Sequence, residues 1–131
     1  MKLNDSKADI DLILHQFHLE TAKNLHPQIL SGGQKQRLTI AAAELLARDV
    51  YLFDEPTSGL DGNNMGLISE RMKKLQEKQK IILIISHDYE FLMTSCNMIL
   101  YLDRQSFKEF SAENDKEKIL EILKGEVKSY V

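Results

Sequence analysis

The 131-residue chain has one cysteine, two prolines, six glycines and no tryptophan, and each scarcity closes off a class of answers. The single cysteine, Cys96, excludes an internal disulfide and any cysteine-based metal cluster. It lies in the apolar run FLMTSCNMILYL, where it reads as a small packing residue and not as a nucleophile. Of the six glycines (Gly32, Gly33, Gly59, Gly62, Gly66 and Gly125) none is followed by Lys-Ser or Lys-Thr. A phosphate-binding loop needs that ending, because its amides cradle the phosphates and its lysine neutralises them. No apolar stretch approaches the roughly 20 residues that a membrane-spanning helix requires. The N-terminal MKLNDSKADIDL also lacks the apolar core of a secretory signal. Excess positive charge is missing too: 17 Lys+Arg against 20 Asp+Glu, a net charge of -3, argue against a nucleic-acid partner, since such domains carry a basic face.

What is present has the composition of one globular domain or a piece of one, 43% hydrophobic and 28% charged, with no repeat or linker-like tract. Ile10, Ile13, Leu14 and Phe17 fall at helical spacing, with Asp5 and Ser6 as caps. Pro27 interrupts that region. Ser31 is an N-cap for a helix over 33–47, with Leu38, Ala41, Ala42, Leu45 and Leu46 as its apolar stripe. Val50–Phe53, Ile81–Ile85 and Met98–Leu102 read as buried strands, and 106–110 as a small antiparallel one. Charged helices are expected over 63–79 (Met65, Ile68, Met72 and Leu75 on one face) and 113–124, with a short one over 89–94. Alternation of strands with helices predicts an α/β fold built on a parallel sheet.

Three strings carry chemistry. The first is LSGGQKQR, residues 30–37: glycines let a backbone approach a phosphate, and free N–H groups at a helix start attract anions. A bare Ser-Gly-Gly would equally fit a capped turn. The second, YLFDEPTSGLD over 51–61, places two adjacent acids at the end of an apolar strand, which is costly unless a cation binds there. The third is Ser86-His87-Asp88, directly after a strand, where parallel sheets present their ligand loops. His15, His18 and His26 have no such setting and read as surface or packing residues.

Together and in this order, the strings resemble the ATP-binding-cassette (ABC) ATPases over about residues 12–110. The resemblance implies that Asp54 holds Mg²⁺, directly or through water, as the first acid of a Walker B pair. Glu55 then polarises the attacking water and His87 is the switch histidine. It implies that Ser31, Gly32, Gly33 and Gln34 touch the ATP held by a second ABC ATPase subunit, in a homo- or heterodimer. Ser58 and Asp61 would lie in that dimer interface. A transmembrane permease subunit is the further partner, and the expected location is the cytoplasmic face of the cell membrane, as a peripheral protein. FDEPTSGLDGNNM and SHDYEFLMTSC look closest to the ATPases of energy-coupling-factor importers, which carry vitamins and metal ions. Asn97-Met98, where a basic residue is usual, and Arg104-Gln105-Ser106, where a tight glycine turn is usual, depart from the pattern.

On this resemblance residues 1–48 correspond to the C-terminal part of the helical subdomain and 49–110 to part of the ATPase core. Residues 111–131 form a C-terminal helix. The fold expected is a partial P-loop NTPase, a parallel sheet flanked by helices, lacking the phosphate-loop strand and the N-terminal antiparallel sheet. In the family that strand lies between those matching Ile81–Ile85 and Met98–Leu102. Here the two either close up or leave an apolar edge open, so the chain should be poorly stable alone, dimeric through that gap, or completed by another polypeptide. Three functions follow: part of an ATP-hydrolysing import subunit, inactive in isolation; a non-catalytic partner contributing only its signature; or a decayed gene product.

Overall fold

The computed structural model describes residues 7–103 and 106–125, in two compact units, Met1–Ile85 and Ser86–Val131. The predicted caps Asp5 and Ser6 and the turn at Arg104-Gln105 lie outside the described residues.

The first unit runs α1 (Lys7–Gln16), two 3-10 turns (Glu20–Ala22 and Pro27–Ile29), α2 (Gly32–Leu45), β1 (Val50–Asp54), α3 (Gly62–Glu77) and β2 (Ile81–Ile85). Strands β1 and β2 pair in parallel, Val50 beside Ile81 through Asp54 beside Ile85, so β1–α3–β2 is a strand–helix–strand unit. At its open end Lys80 bonds Asp49 at 2.8 Å, clipping the strand starts together. The core combines Ile13, Phe17 and Leu19, Ile40 and Ala41 of α2, Tyr51 and Phe53 of β1, and Ile68, Met72 and Leu75 of α3. Tyr51 and Phe53 stack with ring centroids 5.9 Å apart.

Two details depart from the expected pattern. Helix α2 is rotated: its buried stripe is Arg37, Ile40 and Ala41, while Leu45 and Leu46 are each 40% exposed. The cause is electrostatic. Glu44 forms a bidentate pair with Arg71 of α3, both side chains under one-tenth exposed, and Arg71 also stands 5.3 Å over the Phe17 ring. Satisfying that pair turns the helix away from the purely apolar solution. Strands β1 and β2, for their part, bury one face only. Val50, Leu52, Ile81, Leu83 and Ile85 share the other and are exposed.

The second unit contains α4 (Tyr89–Ser95), β3 (Met98–Leu102), β4 (Phe107–Ser111) and α5 (Lys116–Leu123). Strand β3 pairs antiparallel with β4 and belongs to a different sheet from β2. A ladder closed by the short stretch 103–106 costs little chain entropy. Met98, Leu100, Leu102 and Phe107 are exposed, whereas Phe91, Leu92, Ala112 and Ile119 are buried. Cys96 is half-buried, and burial pushes its thiol above the ordinary range, away from nucleophilic chemistry. Asp115 accepts from the Ser111 amide at 3.0 Å and from Lys118 at 2.7 Å, tying the start of α5 to the end of β4.

Candidate functional site

Ser31 caps α2 with a reciprocal box. Its hydroxyl accepts from the Gln34 amide at 3.2 Å, and the Gln34 side-chain oxygen accepts from the Ser31 amide at 2.9 Å. The amides of Gly32 and Gly33 are the first of the helix and have no intrahelical acceptor, so they present donors at the positive end of a 14-residue helix dipole. A Cβ on Gly33 would stand 3.3 Å from Leu60 Cδ2, so any larger residue there would press the Leu60 side chain, in the loop after β1, aside by a few tenths of an ångström. Gly59, with φ of +74°, makes the turn that brings that loop round.

The result is an open cleft of about 510 Å³ lined by Ser31, Gly32, Gly33 and Gln34 on one side and by Gly59, Leu60, Asp61 and Asn64 on the other, with Arg37 between. Residues 30 positions apart thus share one polar hollow. Asp61 is the N-cap of α3 and accepts from the Asn64 amide at 2.9 Å. Ser58 is exposed in the same loop but does not line the cleft.

Asp54 ends β1, exposed to solvent. Glu55 follows with φ of +46°, a left-handed conformation that costs a non-glycine residue roughly 1–2 kcal/mol. Three contacts hold it there: its amide donates to Ile85 O at 2.8 Å, and its carbonyl accepts from Ser58 N at 3.1 Å and from Gln36 Nε2 at 3.4 Å. Buried Pro56 and Thr57 come next. His18, Ala47 and Gln79 share the left-handed region, so the angle alone does not single out this position; the three contacts fix where Glu55 stands. His87 lies in the second unit, exposed, before α4, whose N-cap Asp88 accepts from Phe91 N at 3.0 Å.

The structure therefore gathers Ser31–Gln34 with Asp61, and joins Glu55 to α2 through Gln36. Pattern reading missed Arg37, Gln36 and Asn64. The signal was present for Arg37: Gly33, Arg37, Ala41 and Glu44 recur at helical spacing of three or four, which puts the arginine on the inward face.

The model of the ABC transporter family matches residues 1–58. A Treponema denticola protein named as an ABC transporter ATP-binding protein is 41% identical over 109 residues, covering 82% of this chain and 22% of its own length. The L-cystine import ATP-binding protein TcyN of Bacillus subtilis is 34% identical, covering 79% of this chain and 40% of its own. A solved ATP-binding subunit of an ABC transporter superposes with a TM-score of 0.75 at 25% identity, over 94% of this chain and 56% of that one. The chain thus spans less than half the length of these two curated relatives.

Proposed function

The chain belongs to the ABC family, and from that premise we propose that it forms part of an ATP-hydrolysing subunit that drives import through a separate membrane-spanning permease. The observation that carries this reading is the cleft joining the signature turn to the Asp61 loop. There the Gly32 and Gly33 amides, the Ser31 hydroxyl and the Gln34 side chain meet the terminal phosphate of ATP held by a second ATPase subunit. Ser58 and Asp61 lie against that subunit.

Asp54, Glu55 and His87 serve a different nucleotide, one held by a phosphate loop that these 131 residues do not contain. Asp54 offers an exposed carboxylate to Mg²⁺, Glu55 orients and polarises the attacking water, and His87 bonds the terminal phosphate. Among the described residues no group of three or more His, Cys, Asp or Glu could cage a metal. Magnesium in nucleotide sites is held by one or two carboxylates together with nucleotide phosphates and water. When bound, the ion neutralises charge on the phosphates. Residues 1–48 correspond to the C-terminal part of the helical subdomain and 49–110 to part of the ATPase core, and the C-terminal segment that begins at 111 contains helix α5, Lys116–Leu123.

Membership of the family supports a peripheral position at the cytoplasmic face of the cell membrane; no helix among the described residues is long and apolar enough to cross a membrane. The L-cystine importer among the relatives supports an amino-acid cargo, and the FDEPTSGLDGNNM and SHDYEFLMTSC strings support a vitamin or metal ion; the permease selects between them. A second reading, supported by the placement of Ser31–Gln34 on the wall of the cleft, is a non-catalytic partner contributing only its signature face.

Ser31→Arg, measured in the transporter complex purified through a tag on this chain, is expected to lower ATP hydrolysis at least about tenfold, since a guanidinium side chain fills the cleft and the capping oxygen is lost. Wild-type turnover in that variant would refute the reading. The isolated chain is expected to unfold at the same temperature with and without Mg-ATP. Binding to the folded state would instead add roughly 2.7 kcal/mol at a hundredfold excess over Kd.

A further inference from the structure

We propose that Arg37 and Asn64 form a positioning pair that locks the signature turn to the Asp61 loop, so that the two walls of the cleft move as one. The inference rests on the reading of the cleft given above. Arg37 is 8% exposed, and its Nη1 donates to Asn64 Oδ1. Asn64 Nδ2 in turn donates to both carboxylate oxygens of Asp61, at 2.9 and 3.0 Å. The orientation of the amide follows from its neighbours: a carboxylate only accepts and a guanidinium only donates, so Nδ2 must face Asp61 and Oδ1 must face Arg37. Asn64 is thus a two-sided connector between a buried cation on α2 and an anion at the start of α3.

Stability alone is a poor reason for the arginine. Its Nε is buried with no hydrogen-bond partner, and a buried donor left unmade is a net cost. A leucine or methionine there would pack without that cost. What the arginine adds is direction. Its Nη1 also lies 3.9 Å from where a Gly33 Cβ would be, and Leu60 lies 3.3 Å from the same point. Gly33, in the turn that presents the two amides, is therefore separated from both Arg37 and Leu60 of the Asp61 loop by about the space of one missing side-chain atom. A shift of Asp61 as a partner subunit approaches reaches Arg37, beside the glycine turn, through the three hydrogen bonds that Asn64 makes with Asp61 and Arg37.

Asn64→Asp tests this cleanly, because Asn64 is half-buried at a helix start. The carboxylate still accepts from Arg37 but repels Asp61. In the purified complex, kcat for ATP hydrolysis is expected to fall roughly tenfold, a displacement of about 1 Å sufficing for such losses, with Tm of the chain little changed. Arg37→Lys, which keeps the charge and loses the fork, should give a similar loss. The double variant should be no worse than the poorer single one, as for residues acting through one chain. Wild-type kcat in Asn64→Asp, or losses that multiply in the double variant, would overturn the pair while leaving the cleft reading intact, provided Ser31→Arg abolishes turnover. If Ser31→Arg is itself silent, the cleft reading fails and this inference falls with it.

Discussion

Replacing Glu44 with alanine is expected to destabilise the chain by about 3–5 kcal/mol, the usual cost of stranding one member of a buried ion pair. The partner left behind is the Arg71 guanidinium, whose side chain is 7% exposed and which donates to Glu44 through both Nε and Nη2. It has little access to water, and the fully buried Phe17 ring lies beneath it. For a chain of this size that loss corresponds to a fall in Tm of about 10–20 °C, readable by circular dichroism or calorimetry. Two comparisons keep the prediction sharp. Glu70→Ala removes an exposed i,i+4 pair with Lys74 and should leave Tm within error. The double variant Glu44→Leu, Arg71→Met should recover most of the stability, because apolar residues of similar size replace the pair without an unpaired charge. A Glu44→Ala protein that melts at the wild-type temperature would show that the pair is not closed to solvent.

Glu55→Gln is expected to reduce ATP hydrolysis in the assembled complex by a factor of about 10²–10⁴, the range for loss of a positioned general base. The substitution is nearly isosteric. Glutamine keeps the left-handed backbone at φ +46° as well as glutamate does, and in the bonds to Ile85, Ser58 and the Gln36 side chain residue 55 takes part through its main chain only. The loss is expected in kcat, measured as phosphate release, with Tm measured alongside to separate it from any change in folding. The same pair of variants separates the two functional readings. If Glu55→Gln retains activity and Ser31→Arg destroys it, the chain lends its signature to a partner and does not itself turn over.

Much of this was legible in the residues. The strands of both sheets, helix α3 with Ile68, Met72 and Leu75 inward, and the capping role of Ser31 all follow from local periodicity and turn chemistry. Helix α2 was misread by one position, because a periodicity argument treats Arg37 and Glu44 as outward-facing, and their inward orientation depends on Asn64 and Arg71, 27 residues away in each case. Composition predicts β1, β2 and β3 as buried strands, yet nothing among the described residues covers Val50, Leu52, Ile81, Leu83, Ile85, Met98, Leu100 or Leu102. The site divides the same way: the strings name Ser31–Gln34 and Asp54-Glu55, but the strain at Glu55 and the Asn64 connector arise only when the loop after β1 folds against α2.

The parallel pairing of β1 with β2 also has a meaning in time. Val50 has no partner until Ile81, 31 residues later, has been made. At about 5–20 residues per second of synthesis, a nascent VYLF segment waits roughly 1.5–6 s with its backbone unpaired. Sticky segments of this kind are commonly flanked by charges that discourage pairing with other chains. Here those charges are Arg48 and Asp49 on one side and Asp54 and Glu55 on the other. The acids assigned to magnesium and water thus serve earlier as guards on the ribosome, before there is any site for them to occupy.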